Sequence, residues 1–420
     1  MNEVLAMCKR AKDTSKSLLL ASSHVRREVL EVLADLLLER QDDILVANEV
    51  DQKSASAEGL SPAMIDRLQL SSARIAAMSS GVREVALLPD PLEEKFDEQI
   101  LPNGLRVYKQ RVPLGVVGVI YESRPNVTID VSALCIRSGN AVILRGGKET
   151  LATNSILVEC VCAALATVGL PQDLVQFMDD PDRNLVDQLL KMYEYVDMLI
   201  PRGGAALHRY CRENSLIPVI TGGIGICHLF VDESADMKKA LDVISNAKVQ
   251  RPTVCNALDT VLVHKNIASI FLPCLLECMC QEKVVVHLPQ AWMAHFGLAS
   301  CDAIRPVEPD DFDREWLSLD VGVQVVENVE EAIAFITEHS TAHSDGILTQ
   351  DEQNKQRFLK EVDSSVVYVN ASTRFTDGAE LGLGAEVAIS TQRLHARGPM
   401  ALQALTTYKW VVQGEYHVRA

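Results

Sequence analysis

Apolar residues in the first part of the chain recur at helical spacing. Leu-rich periodic runs at 29–38 and 65–88 are broken by Glu58-Gly59 and Ser61-Pro62, so residues 1 to about 90 are expected to be mostly helical. Asn103-Gly104 between two short apolar segments predicts a β-hairpin. The period then changes. Short, continuous apolar runs at 115–120, 141–144, 174–178, 196–200 and 217–221 alternate with helical stretches at 127–138, 150–168, 183–192 and 205–213. After a helix near 235–249 a second series follows, with strands at 260–263, 284–288, 321–326, 346–349 and 366–370 and helices at 267–281, 329–339 and 351–362. A last strand is expected near 406–412. Continuous hydrophobicity marks strands buried on both faces, which is the signature of parallel sheets covered by helices. The pattern predicts an α/β protein of two parallel-sheet units meeting near 222–232.

Composition narrows the function. A formal net charge of −17 argues against nucleic acid and against anionic membrane surfaces, so an anionic ligand would need local Arg or Lys. Eleven scattered cysteines with no Cys-x-x-Cys fit a reducing compartment better than a disulfide framework. Residues 1–40 are amphipathic and lack the parts of a secretory signal, and no apolar run is read as a membrane span. A soluble, cytoplasmic protein is expected.

The chemistry centres on Val249 to Val263. Cys255 follows Pro252 in a loop between a helix and a buried strand, where a scaffold presents reactive groups. It reads either as a nucleophilic thiolate or as a small buried hydrophobe. Four strand ends carry Gly or Pro beside polar or basic residues: Tyr121-Glu-Ser-Arg-Pro-Asn126, Arg145-Gly-Gly-Lys148, Pro201-Arg-Gly-Gly204 and Thr221-Gly-Gly-Ile-Gly225. One such loop is turn chemistry, whereas four in an acidic chain point to a phosphate-bearing ligand. Arg374 reads as an anion clamp or as one side of a surface ion pair. Metal binding is a poor reading. Cys160 and Cys162 face different sides of a helix, Cys274 and Cys278 lack a His partner, and Cys135 shares their apolar helical setting, so core packing is expected for them. His264, His287 and His295 are isolated and read as structural. No Gly-x-Ser-x-Gly elbow is present.

The runs 112–127, 139–149, 251–256 (Arg-Pro-Thr-Val-Cys-Asn), 370–378 (Asn-Ala-Ser-Thr-Arg-Phe-Thr-Asp-Gly) and 381–400 resemble the gamma-glutamyl phosphate reductases, or glutamate-5-semialdehyde dehydrogenases, of the aldehyde dehydrogenase superfamily. The resemblance covers nearly the whole chain. It implies an aldehyde dehydrogenase-like fold with an NADP-binding domain at 1–226, a hairpin arm at about 98–112, a catalytic domain at 227–395 and an oligomerisation strand within 396–420. It implies that Cys255 is the catalytic cysteine and that Asn126 or Asn256 completes an oxyanion site. Arg145, Gly146, Gly147 and Lys148 match the loop at the adenosine ribose, and Lys148 stands where NAD-preferring relatives carry an acidic residue, which suits the 2′-phosphate of NADP. Pro201, Arg202, Gly203, Gly204, Gly222 and Gly223 join the cofactor set, and Glu122, Ser123, Arg124, Thr373 and Arg374 are expected to anchor the substrate. Thr221 replaces the general-base Glu of hydrolytic relatives, so water is poorly activated toward a thioester.

The activity implied is NADPH-dependent reduction of L-glutamyl 5-phosphate through a cysteinyl thioester, in proline synthesis. The partners implied are a small-molecule substrate, a second copy in a homodimer or homotetramer, and glutamate 5-kinase. Alternatives are an NADP-dependent enzyme for another aldehyde or acyl phosphate, and a non-catalytic nucleotide-binding oligomer. Phosphate dependence of the reverse reaction separates the first, and the intact Cys255 and Arg374 loops count against the second.

Overall fold

The computed structural model describes residues 3–60, 62–222, 224–308 and 310–419. The chain divides into two units, Met1–Gly222 with Gly382–Ala388 and Pro399–Ala420, and Gly223–Leu381 with Ile389–Gly398. The division falls at Gly222 rather than after residue 226, because the Ile226 N–H already bonds Thr341 and Cys227 opens a strand of the second sheet. The C-terminal return begins at Gly382 rather than at 396, with Ile389–Gly398 left in the second unit.

The first unit opens with helices α1 Glu3–Leu20, α2 Ser23–Glu39, α3 Gln41–Ala57, α4 Pro62–Leu68 and α5 Ser72–Leu87. Ser22 and Ser71 accept from Val25 N and Arg74 N, which satisfies donors that the first turns of α2 and α5 leave unpaired. The expected hairpin forms from β1 Lys95–Ile100 and β2 Arg106–Pro113, with Gly104 at φ +89° in its turn, where a side chain would be strained. A parallel sheet follows, in the order β5-β4-β3-β6: β3 Val116–Tyr121, β4 Ala141–Arg145, β5 Val175–Phe177 and β6 Met198–Arg202. Helices α6 Asn126–Arg137, α7 Leu151–Thr167, α8 Arg183–Leu189 and α9 Ala205–Asn214 connect and follow them. Every residue of β3 and β4 is buried, as the unbroken apolar runs imply.

Two expectations fail in this unit. Residues 217–221 make one bridge, Val219 beside Leu199, instead of a strand. The next donor on β6 would be Pro201, which has no N–H, so the ladder stops. The stretch Lys148–Thr167 is long and apolar enough by length and composition to cross a membrane, at mean hydropathy 1.5, contrary to the expectation of no such run. In the fold α7 packs on α2, α3 and α6 and buries Leu157, Val161 and Leu165 among them.

The second unit is a seven-stranded parallel sheet in the order β10-β9-β11-β8-β7-β12-β13. Its elements are β7 Cys227–Val231, α10 Met237–Val249, β8 Leu258–His264, α11 Lys265–Gln281, β9 Val285–Leu288, α12 Gln290–His295, β10 Ile304–Pro306, β11 Asp320–Val326, α13 Val329–His339, β12 Ser344–Leu348, α14 Glu352–Glu361 and β13 Val366–Val369. Of these β7, α12 and β10 were not foreseen. His228 interrupts the apolar run of β7, and β7 is central only because it pairs with β8 and β12, which lie later in sequence. Two-residue strands β14 Ile389–Ser390 and β15 Gly398–Pro399 pair with each other. The final strand, β16 Thr406–Gln413, returns to the first unit and pairs antiparallel with β2.

Candidate active site

Cys255 sits in the turn between α10 and β8, half-buried, with its backbone held from behind. Its carbonyl accepts the Cys227 thiol at 3.2 Å. Burial, helped by the charges of Asp259 and Asp345, pushes that thiol well above its ordinary pKa, so it stays protonated and donates. Gly225 presses on the same carbonyl, and a Cβ there would lie 1.6 Å from the oxygen. Beneath the loop, Asp259 accepts the N–H groups of Cys227 and Trp316 at 3.2 and 3.0 Å. Desolvation pushes Asp259 up to about 6, against the nearby charge of Lys248. Lys248, on α10, is fully buried and donates to the Leu258 carbonyl at 2.9 Å.

The segment after β13 meets this loop. Asn256 is buried, and its Nδ2 donates to the carbonyls of Thr376 at 2.9 Å and Arg374 at 3.3 Å. Both amide protons are thereby spent, so its side chain is a brace for the loop and not a spare oxyanion donor. Thr373 is also buried, and its hydroxyl donates to the Asn256 carbonyl at 2.7 Å, which makes it a support rather than a substrate contact. Arg374 is aimed by Gln250, whose side-chain oxygen accepts its Nε at 2.9 Å. Burial and the like charge of Arg251 push the Arg374 pKa down, while Asp377 and Cys255 draw it up. Arg251 and Arg374 thus add positive charge close to the Cys255 loop, a setting that holds an anion.

The other expected residues gather at the carboxyl ends of the strands in the first unit. Arg145 turns its guanidinium onto the carbonyls of Gly146 and Pro181, so it shapes the loop from within. Gly146 lies against Asn154, where a Cβ would come within 2.2 Å of Nδ2. Lys148 reaches solvent, and its Nζ pairs with Glu58 at 2.7 Å. Ser123, at φ +46°, donates through its N–H and its hydroxyl to Glu149 at 2.9 and 2.6 Å, which ties the loop after β3 to the loop after β4. Strain of this kind gathers at ligand clamps. Glu122 accepts the N–H of Gly204, the N-cap of α9, at 3.0 Å. Pro201 is buried, Arg202 is half-buried and Arg124 is exposed. Arg202 is near enough to act on Asp130, whose carboxyl desolvation pushes up to about 6 against a 2.9 Å hydrogen bond from Asn126.

These residues fit a phosphorylated dinucleotide. A Cβ on Gly204 would meet nothing within 4 Å, so the N terminus of α9 opens onto free space, and a carboxylate already sits on its first amide. Lys148 adds a cation at the end of β4. Gly222 is buried at the end of the first unit, and Gly223 lies outside the described residues.

The structure thus brings together Cys255, Asn256, Thr373 and Arg374 in one unit, and Asn126, Glu122, Ser123, Arg145–Lys148 and Pro201–Gly204 in the other. Sequence reasoning missed Cys227 and Glu58, and assigned no role of their own to Gly225, Gln250 and Arg251. Gln250 and Arg251 flank the cysteine motif and were legible as polar neighbours, whereas Cys227 and Glu58 are revealed only by folding. Cys274, expected in the core, is exposed, while Cys135 and Cys160 are buried. The histidines have structural partners: His264 caps α11, His287 bridges Asp311 and Asp320, and His295 meets Trp292 edge to face.

A sequence model of the aldehyde dehydrogenase family matches residues 1–295. The gamma-glutamyl phosphate reductase of Escherichia coli O127:H6 is 55% identical over 410 residues, 98% of each chain. That of Salmonella dublin is 56% identical over 98% of each chain. The crystal structure of gamma-glutamyl phosphate reductase from Thermotoga maritima is 43% identical, covers 100% of both chains and gives a TM-score of 0.96. An acetylating aldehyde dehydrogenase from Geobacillus thermoglucosidasius, 17% identical, shares the fold at a TM-score of 0.70 over 100% of this chain and 98% of its own.

Proposed function

Because the chain belongs to the aldehyde dehydrogenase family, and within it to the gamma-glutamyl phosphate reductases, we propose that it reduces L-glutamyl 5-phosphate to L-glutamate 5-semialdehyde and phosphate with NADPH, the second step of proline synthesis from glutamate. The observation that carries the reading is a half-buried thiol, clamped at its carbonyl, within reach of the charge on Arg374. The Cys255 thiolate attacks the acyl carbon. A C–S bond forms, the bond to the phosphate oxygen breaks, and phosphate leaves with the electron pair. Phosphate is a good leaving group, so no general acid is needed at this step. Arg374 and Arg251 balance the negative charge of the incoming acyl phosphate. Of the two amides considered for the oxyanion site, Asn256 has no proton to spare, whereas Asn126 gives only one of its Nδ2 protons, to Asp130. Thr221 offers no carboxylate base, so the thioester is spared hydrolysis.

When bound, NADPH supplies the hydride that converts the thioester to the aldehyde. Lys148 would hold its 2′-phosphate, and Gly203, Gly204 and the α9 N terminus its pyrophosphate, with Glu122 swinging off the Gly204 amide to make room. In this reading the first unit is the cofactor unit and the second the catalytic one. The β1–β2 hairpin with β16 is the arm of a homodimer or homotetramer. Support comes from the free edge of β16, where Tyr408, Trp410 and Val412 are exposed, because an apolar edge strand invites pairing. An acyl phosphate is labile, so direct handover from glutamate 5-kinase in the same reducing compartment belongs to the same proposal.

The test is the reverse reaction. Glutamate 5-semialdehyde, inorganic phosphate and NADP⁺ together should form NADPH, with NAD⁺ much slower and no steady turnover when phosphate is omitted. Equal steady rates without phosphate would favour a hydrolytic aldehyde dehydrogenase instead.

A further inference from the structure

Lys148 meets a carboxylate from far away in sequence. Glu58, 90 positions earlier, places Oε2 2.7 Å from Nζ. This contact is part of a larger attachment of α3 to the cofactor loop. Asp51 of α3 is 5% exposed and accepts Ala152 N at 3.2 Å, Thr153 N at 2.8 Å and the Thr153 hydroxyl at 2.6 Å, at the first turn of α7. Positions 51 and 58 lie two helical turns apart, so both project from one face of α3, and Ala55 between them is buried. Glu58 is also the C-cap of α3, and the carbonyl end of a helix attracts a cation as its side chain does. The lysine is thus paired with α3 through the Glu58 carboxylate.

We infer that Glu58 moderates the dinucleotide preference of this chain, acting against Lys148. The inference rests on the assignment of the Arg145–Lys148 loop to NADPH. The 2′-phosphate of NADPH is an anion that needs the Lys148 charge. Glu58 competes for that charge and repels the phosphate. NADH carries a neutral 2′-hydroxyl in the same place, and the Glu58 carboxylate accepts its proton, the part played in NAD-preferring relatives by an acidic residue within the loop itself. Glu149 is already engaged elsewhere, with one of its oxygens accepting both Ser123 donors. Lys148 and Glu58 are largely exposed, and such pairs are weak, so the phosphate displaces Glu58 without difficulty and the effect is several-fold rather than absolute. The sequence near Lys148 alone predicts a stricter NADPH preference than the folded site provides.

The experiment is Glu58→Gln in the full-length protein, with binding read without turnover. NADPH and NADH are titrated by nicotinamide fluorescence, and 2′,5′-ADP and 5′-AMP by calorimetry. The variant should bind NADPH and 2′,5′-ADP roughly three- to fivefold more tightly and NADH several-fold more weakly, with an unchanged melting temperature. The gain on NADPH should shrink in high salt and vanish in a Lys148→Gln background. No change in either affinity, weaker NADPH binding, or the same gain without Lys148 would overturn the inference. If the unaltered protein binds neither NADPH nor 2′,5′-ADP, the cofactor assignment itself falls. If it prefers NADPH and Glu58→Gln changes nothing, only the role of Glu58 falls.

Discussion

At the scale of single residues, the site is a thiol held by its own backbone. Cys255→Ser should keep the fold and NADPH binding and lose more than about a hundredfold in turnover, since a hydroxyl is a poor nucleophile without an adjacent base. Rapid-quench and dinucleotide-titration assays check both halves. Cys227 acts through Cys255, as a positioning residue. Cys227→Ala removes the donor to the Cys255 carbonyl, and should lower kcat several-fold with little change in KM, while Cys227→Ser, which keeps a donor, should recover part of the loss. A variant pair with equal kcat would remove that role. Asp259 gives a pH signature. Its carboxyl sits near 6 in the fold, against 3.8 unperturbed, so the folded state binds more protons between those values. Its contribution to stability therefore falls as pH rises from about 4 to about 6 and levels off above, where the buried charge must be carried. Denaturant titrations across that range should show this slope, and Asp259→Asn should lose it.

Legibility at this scale followed the range of the partners. Cys255 and Arg374 could be singled out because their own loops carry the motif. The task of Asn256 could not, because its partners are two backbone carbonyls 118 and 120 positions away. For the same reason Lys148 reads as a free cation in sequence and as a paired one in the fold.

At the scale of elements, most of the pattern survived folding because helical and strand periods are local properties. The exceptions have nameable causes in the fold. Pro201 stops the ladder that residues 217–221 would have joined. His228 disguised β7, and its presence in a central strand is explained by Asp345 on β12. Both residues are fully buried. Asp345 accepts the His228 N–H and faces the His228 Nδ1, each at 2.9 Å, and also takes the hydroxyls of Ser340 and Ser364. Asp345→Ala should destabilise the protein by roughly 3 kcal/mol, because several buried donors lose their acceptor at once. Chemical denaturation measures this, and a loss below about 1 kcal/mol would show that water or rearrangement replaces the carboxylate. The α10 helix shows how an element serves the site. It begins at the Asp236 cap, buries Lys248 beneath the turn, and ends by presenting Gln250 to Arg374.

At the scale of the whole molecule, the chain builds two α/β units and returns to the first, a path that hydrophobic patterning suggested without locating its crossings. The resemblance placed that return from 396 on and matched 406–412 to the strand that pairs with the hairpin arm, and in the fold β16 pairs with β2 of the same chain. The exposed Tyr408, Trp410 and Val412 on that strand give the oligomer proposal its test. Trp410→Arg should shift the protein toward monomer in sedimentation while leaving dinucleotide binding in place, and an unchanged sedimentation coefficient would point to another interface. The claim on which the function depends is that Cys255 carries the acyl group, and one measurement reaches it directly. With glutamate 5-semialdehyde and NADP⁺ but no phosphate, the account predicts a single burst of NADPH stoichiometric with Cys255, a glutamyl mass increment on the peptide containing that residue, and steady turnover only when phosphate is added. Steady NADPH formation without phosphate, an increment on a different residue, or an undiminished burst in Cys255→Ser would contradict it.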